Sequence, residues 1–281
     1  MNYRHIFHAG NFADVFKHAV LARILVYLCE KPQPFRVIDT HAGTGLYDLE
    51  GTQASRTEEW RDGIGRFMER PPTGDAAALL SPYFDAIAAV NSGGGLKHYP
   101  GSPQVALSLM RQQDRLTACE LEPKAAAALA SHLRKDKRAK AIEIDGWQAL
   151  NAYLPPPERR GLVVVDPPFE DRDEFENLAK GLKLAHRKWA SGLFLLWYPI
   201  KGEGASAFMR RLRKLGIPKI LRAELHVKSS RADVFSGSGL AVINPPWKLA
   251  DELKVMLPAL QAVLSQGPGS RTVIEMLDDK I

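Results

Sequence analysis

Seven short β-type runs, most of them separated by helical stretches, restrict this chain to an α/β fold assembled from βαβ units. They are F-R-V-I-D (35–39), L-T-A-C-E (116–120), A-I-E-I (141–144), L-V-V-V-D (162–166), L-F-L-L-W-Y (193–198), R-A-E-L-H-V (222–227) and G-L-A-V-I-N (239–244). Continuous apolar stretches such as Val163 to Val165 suit strands covered on both faces. Between the sixth and seventh runs lie K-S-S-R and S-G-S-G, with no helical stretch. A parallel crossover needs a dozen or more residues, usually including a helix, so this pair is antiparallel. The expected sheet has seven strands: five parallel, then a hairpin that reverses the last.

One spacing departs from the pattern. From Gly45 to the second run is roughly 70 residues, where a whole βαβ unit takes about 30. The excess holds T-E-E-W-R-D-G-I-G-R-F-M-E-R and A-A-L-L-S-P-Y-F-D-A-I-A-A-V, both helical by period. A helical insertion is therefore expected at 47–98, within a single domain over 1–281. After it, Y-P-G-S-P-Q-V-A-L-S-L-M offers Ser102 as the N-cap and Pro103 as the first helical residue of the delayed crossover helix.

The strand ends carry the chemistry. The first run leads into D-T-H-A-G-T-G (39–45), where glycines permit a sharp turn and close approach to a ligand. A dinucleotide fingerprint fails because Asp48 stands where its third glycine belongs, and no Lys-Ser/Thr follows to make a phosphate loop. A glycine loop behind an acid, Asp39, suits a nucleoside carrying positive charge. Glu120 ends the second run, where an acid can accept from both ribose hydroxyls. D-G-W (145–147) follows the third, and Asp145 can accept from an adenine amino group. Ligands of open α/β sheets bind along this carboxyl edge, so three acids at consecutive strand ends define a site.

D-P-P-F (166–169) closes the fourth run. Its prolines fix the backbone and remove two donors, leaving carbonyls free to accept. Asp166 adds a carboxylate, and Phe169 a face on which a base can stack. Together they can hold a planar exocyclic amine with its nitrogen aimed at an electrophile. N-P-P-W (244–247) could do the same chemistry, but it follows the antiparallel strand and belongs at the opposite edge of the sheet.

D-T-H-A-G-T-G, Glu120, D-G and D-P-P-F, in this order, are similar to a class I S-adenosylmethionine-dependent methyltransferase of the amino-methylating type. The opening Y-R-H-x-F-H-A-G-N-x-A-D-V-x-K-H, with Y-P-G-S-P (99–103) and I-N-P-P-W-K (243–248), is more specific. With these motifs the chain resembles the RlmJ family over nearly its whole length. The resemblance implies a Rossmann-like fold with a helical insertion, and direct methylation of adenine-2030 at N6 in 23S ribosomal RNA. It further implies that His18, His41, Ser102, Glu120, Asp145, Gly146 and Asp166 line the S-adenosylmethionine pocket. Asp166 is then also the catalytic acceptor, with Tyr3, His5 and Lys17 on the RNA side. Many amino-methylating enzymes have tyrosine where this chain has Phe169, a change that keeps stacking and loses the hydroxyl.

Competing readings stay open at this point. DNA adenine-N6 and guanine-N2 RNA methyltransferases could use the same acids, although a DNA enzyme usually carries a larger recognition domain than an insertion of about 50 residues. A nicotinamide dehydrogenase is disfavoured by the missing glycine, and a non-catalytic RNA-binding protein leaves the aligned acids unexplained.

Charge agrees with a polyanionic partner: the net charge is +6 and the pI 9.3. The runs S-H-L-R-K-D-K-R-A-K (131–140) and M-R-R-L-R-K (209–214) read as solvated helix faces. Helices of βαβ units end away from the ligand edge, so the loop K-S-S-R (228–231) is the better phosphate contact, through Arg231. Cys29 and Cys119 form no disulfide framework and have no neighbouring zinc ligands. Without a signal-peptide pattern or a window near the ~20 apolar residues of a membrane span, the expectation is a cytoplasmic monomer that needs no metal. In the opening stretch Phe7, Phe12, Val15 and Phe16 can pack while the polar residues point elsewhere, so residues 1–18 are expected to form a lid over cofactor and RNA.

Overall fold

Residues 5–51, 54–171, 173–230 and 234–277 are described in the computed structural model. Its helices, in chain order, are α1 (Phe12–Cys29), α2 (Ala54–Thr57), α3 (Arg66–Glu69), α4 (Gly74–Ala89), α5 (Ser102–Leu109), α6 (Pro123–Leu133), α7 (Gly146–Ala152), α8 (Glu174–Lys188), α9 (Gly204–Arg213) and α10 (Leu249–Leu264). The strands are β1 (Arg36–Asp39), β2 (Leu46–Asp48), β3 (His98–Pro100), β4 (Arg115–Glu120), β5 (Ala139–Glu143), β6 (Gly161–Val165), β7 (Leu193–Ile200), β8 (Ile220–His226), β9 (Gly237–Ile243) and β10 (Arg271–Met276).

The chain begins its core with α1. The Asn11 side chain accepts from the Ala13 and Asp14 amides at 2.9 and 3.1 Å, which caps the helix and contributes about 1 kcal/mol. Every residue from Phe12 to Ala22 is buried, so this helix is enclosed rather than laid on a surface. The stretch expected as a lid therefore divides: residues 12–18 are the first turns of a core helix, and only the segment before Asn11 can cover anything.

The main sheet runs in the order β10-β8-β9-β7-β6-β1-β4-β5. β5, β4, β1, β6 and β7 are parallel neighbours. β9 lies antiparallel between β7 and β8, which is the reversed hairpin the short connection requires. To the seven expected strands the structure adds an eighth, β10, antiparallel to β8 at the sheet edge. Its residues are half-buried to exposed, so it lacks the apolar run that marks the central strands.

Helices cover both faces. α1, α5, α6 and α10 pack one side with residues such as Leu21, Val105, Leu129 and Met256. α7, α8 and α9 pack the other with Leu150, Leu178 and Phe208. This is a Rossmann-like arrangement, with helices on both faces of a mostly parallel sheet. Between β1 and α5 the chain leaves through β2 and returns through β3, which pair antiparallel from Leu46 against Pro100 to Asp48 against His98. That clasp brings Gly101 and Ser102 back beside the β1 loop after the helices α2 to α4, with the Gly101 amide donating to the Gly45 carbonyl at 2.9 Å.

Candidate active site

Parallel strands bring their carboxyl ends to one edge, and the loops there enclose a cavity of about 460 Å³. The size suits a nucleoside-sized ligand. His18, His41, Ser102, Glu120, Asp145, Gly146 and Asp166 all line it, and so does Lys17. Residues from α1, β1, β4, β5, β6 and the β3–α5 return thus meet at one place although they span 150 residues of sequence.

Asp39, at the end of β1, is 1% exposed. Burial pushes its carboxyl up to about 6, opposed by the Ser102 hydroxyl, which donates to it at 2.6 Å. This corrects the expected role of Ser102. Gly101 is the N-cap of α5 and Ser102 is already helical, because the hydroxyl is held by Asp39 instead of the helix amides. The glycine loop then turns through Gly43 at φ +58, where a Cβ would sit 2.1 Å from the Tyr47 hydroxyl. Only glycine fits. Its amide donates to Glu120 at 2.9 Å, so the loop spends that N–H on a carboxylate and not on a phosphate cradle. Glu120 also accepts from the Leu121 and Glu122 amides, each at 2.9 Å.

Asp145 caps α7 by accepting from the Gln148 amide at 2.9 Å. Gly146 follows at a point where a Cβ would meet the His41 Nε2 and the Thr40 carbonyl, both at 2.5 Å. The His41 ring lies edge-on to Trp147 at 5.3 Å, and burial lowers its pKa to about 4, so the imidazole is neutral near pH 7. His18 lies beneath the cavity with 1% exposure, and its Nδ1 is 2.9 Å from the Tyr99 hydroxyl. Tyr99 in turn is 3.1 Å from the Tyr83 hydroxyl, which ties the β3 return to α4.

The most consequential pairing is between α1 and β6. The Lys17 Nζ donates to the Asp166 Oδ2 and also pairs with the Asp14 Oδ1 at 2.9 Å. Burial alone would lower the lysine's pKa, but the two carboxylates outweigh it and hold the ammonium charged. Asp14 is itself fixed by the Gly10 amide at 3.0 Å. Asp166 sits half-buried on the cavity wall, followed by buried Pro167.

Phe169 stands apart from the cavity lining. It has a left-handed φ of +51, and its ring is edge-on to Phe175 and Trp197 at 4.8 and 5.5 Å. Tyr3 and Arg231 lie outside the described residues, and His5 opens a 3-10 turn that ends at Phe7. Asn244 follows the antiparallel β9 at the opposite sheet edge, where its amide donates to the Ala190 and Gly192 carbonyls at 2.8 Å each. It fastens two loops and has no place at the cavity. Among the described residues no group of His, Cys, Asp or Glu is clustered to hold a metal ion, and no helix is long and apolar enough to cross a membrane.

Several residues of the site escape sequence reading: Tyr47 and Glu174 on the cavity wall, and Asp14 buried behind Lys17. Asp14 alone had a local signal, its i,i+3 spacing from Lys17 on one helix. The others arrive through tertiary packing.

Known proteins share this framework. A profile of the family described as ribosomal RNA large subunit methyltransferase D, RlmJ, matches residues 32–276. A protein of Escherichia coli (strain K12) named ribosomal RNA large subunit methyltransferase J is 41% identical over 276 residues, covering 97% of this chain and 98% of its own length. Its namesake in Haemophilus influenzae is 38% identical over 277 residues, with coverage of 97% and 98%. A crystal structure of a Legionella pneumophila protein superposes with a TM-score of 0.87 at 37% identity, over 97% of this chain and 99% of that one. With a profile match over most of its length and full-length relatives near 40% identity, this chain belongs to the RlmJ family of large-subunit ribosomal RNA methyltransferases.

Proposed function

We propose that the chain methylates the exocyclic N6 of an adenine in 23S ribosomal RNA, adenine-2030 by family resemblance, using S-adenosylmethionine and with Asp166 as the acceptor. The observation that carries this reading is the Lys17–Asp166 pair on the cavity wall, next to two prolines that leave carbonyls without competing donors. When bound, S-adenosylmethionine supplies an electrophilic methyl group. The residues present fit it. Glu120 can take the ribose hydroxyls and Asp145 the adenine amine, both on the cavity wall, while buried Asp39, behind the lining residue Ser102, adds negative charge close by and the Gly43 amide is already committed to Glu120.

An adenine amine is a weak nucleophile because its lone pair is delocalised into the ring. Asp166 Oδ1 and the Pro167 carbonyl can accept its two hydrogens, favouring a pyramidal nitrogen and taking up the positive charge that develops there. Lys17 holds the other carboxylate oxygen, so Asp166 is oriented before the base arrives. Preorganised acceptors of this kind act through alignment and electrostatics, with no covalent intermediate. A helical adenine must swing out, at a few kcal/mol, offset by stacking. In this reading Tyr3 and His5 meet the RNA. The test is transfer of labelled methyl from S-adenosylmethionine to unmodified 23S RNA and to duplex DNA, followed by nucleoside analysis. N6-methyladenosine in RNA is expected; label in DNA alone, or in guanine, would overturn the reading.

Asp39 supplies a pH dependence with a definite sign. Its pKa of about 6 means that the carboxylate is lost as pH falls through that value, and a cationic ligand loses its counter-charge. Affinity for S-adenosylmethionine is therefore expected to be level above pH 7 and to fall below 6, by up to about tenfold per unit. His41 stays neutral over that range. Calorimetric titration from pH 5 to 8 checks this, and Asp39→Asn should bind more weakly at pH 7.5 with a flatter profile.

A further inference from the structure

Glu174 opens α8, 6% exposed, and its side chain lines the cavity. Its Oε1 is buried without a hydrogen-bond partner. A carboxylate oxygen buried beside a polar cavity and lacking a donor is a costly arrangement unless a ligand supplies one. The role of Asp166 does not use it.

Its position within the cavity follows from packing. α8 lies beside α7, with Gly181 so close to Trp147 that a Cβ there would meet the indole at 2.9 Å. Asp145 and Gly146 at the start of α7 and Glu174 at the start of α8 line the same cavity. The charges that bear on Glu174 are those of Asp171 and Asp145. Lys17 and Asp166 form the pair on the α1 side.

We infer that Glu174 is a second acceptor for the 6-amino group of the cofactor's purine, so that Asp145 takes one N–H of the amine and Glu174 the other. An exocyclic amine has two in-plane hydrogens, and two acids from neighbouring helix starts can engage both. Such a pocket selects a 6-amino over a 6-oxo purine, because an oxo group would bring an acceptor against two acceptors. Burial raises the Glu174 pKa, and N–H donors set against the carboxyl would favour its ionised, accepting form. The inference rests on the S-adenosylmethionine reading of the cavity, and its test separates the two.

The probes are S-adenosylhomocysteine and its 6-oxo counterpart, S-inosylhomocysteine, bound to the full chain and measured by calorimetry. Wild type is expected to prefer the amino compound by at least ~100-fold. Glu174→Ala should weaken S-adenosylhomocysteine about tenfold and narrow that preference by a similar factor, with thermal melting confirming the fold. Glu174→Gln keeps a carbonyl acceptor and should bind S-adenosylhomocysteine within about threefold of wild type. Its amide can also turn an N–H toward the 6-oxo group, so it should bind S-inosylhomocysteine more tightly than wild type does. A purely structural role would not produce that gain. Wild-type affinity in Glu174→Ala, or equal loss for both ligands, overturns this inference alone. A wild type that binds neither compound overturns the cofactor reading together with it.

Discussion

Asp166→Ala is expected to remove methyl transfer to RNA by ~10²–10³-fold or more in single-turnover assays, while the protein remains folded and binds S-adenosylhomocysteine within about tenfold of wild type. The fold should survive because Lys17 keeps a partner. Its ammonium stays 2.9 Å from Asp14, and the buried group changes from one cation with two carboxylates to a neutral pair. The chemistry should not survive, since the amine loses the acceptor that shapes and discharges it. Asp166→Asn retains an acceptor oxygen without the negative charge. Partial activity in Asn with none in Ala would assign part of the effect to geometry, and near-wild-type turnover in Ala would remove Asp166 from its proposed role.

Lys17→Met has a second kind of consequence. It leaves Asp14 and Asp166 beside a core helix with no cation between them, at side-chain exposures of 3% and 13%. Breaking a buried pair by deleting one partner typically costs about 3–5 kcal/mol, so the variant should melt well below wild type and lose activity. The double variant Asp14→Asn/Lys17→Met separates the two effects. Removing the Asp14 charge should restore much of the stability, whereas transfer should stay at least ~10²-fold down because Asp166 still lacks the ammonium that orients it. Denaturant melts and single-turnover rates on the same preparations check both halves. Recovery of activity along with stability would make Lys17 a structural residue only.

How far these features could be read from the chain depends on how local their cause is. Strands 162–166 and 193–198 were legible because both faces are buried and the apolar run is continuous. The reversed β9 was legible because its connection from β8 is too short for a parallel crossover. β10 was not, since an edge strand with half-buried residues lacks that run. Ser102 read as a helix cap because a serine before a proline usually is one, and only the Asp39 carboxyl, 63 positions away, reassigns its hydroxyl. Phe169 read as a stacking platform from its place in D-P-P-F, but the left-handed backbone turns its ring to Phe175 and Trp197.

Taken alone, the amino-acid order determined the alternation of strands and helices, the acids at successive strand ends, and the choice of Asp166 over Asn244. Each of these follows from short-range periodicity, or from the rule that parallel strands present their carboxyl ends along one edge. Folding decided the rest. The opening stretch became a buried helix whose lysine reaches across 149 positions to Asp166. Packing of α8 on α7 set Glu174 on the same cavity wall as Asp145 with an oxygen still lacking a donor. Such pairings depend on helix placement and side-chain burial over the whole domain, and no local pattern of residues encodes them.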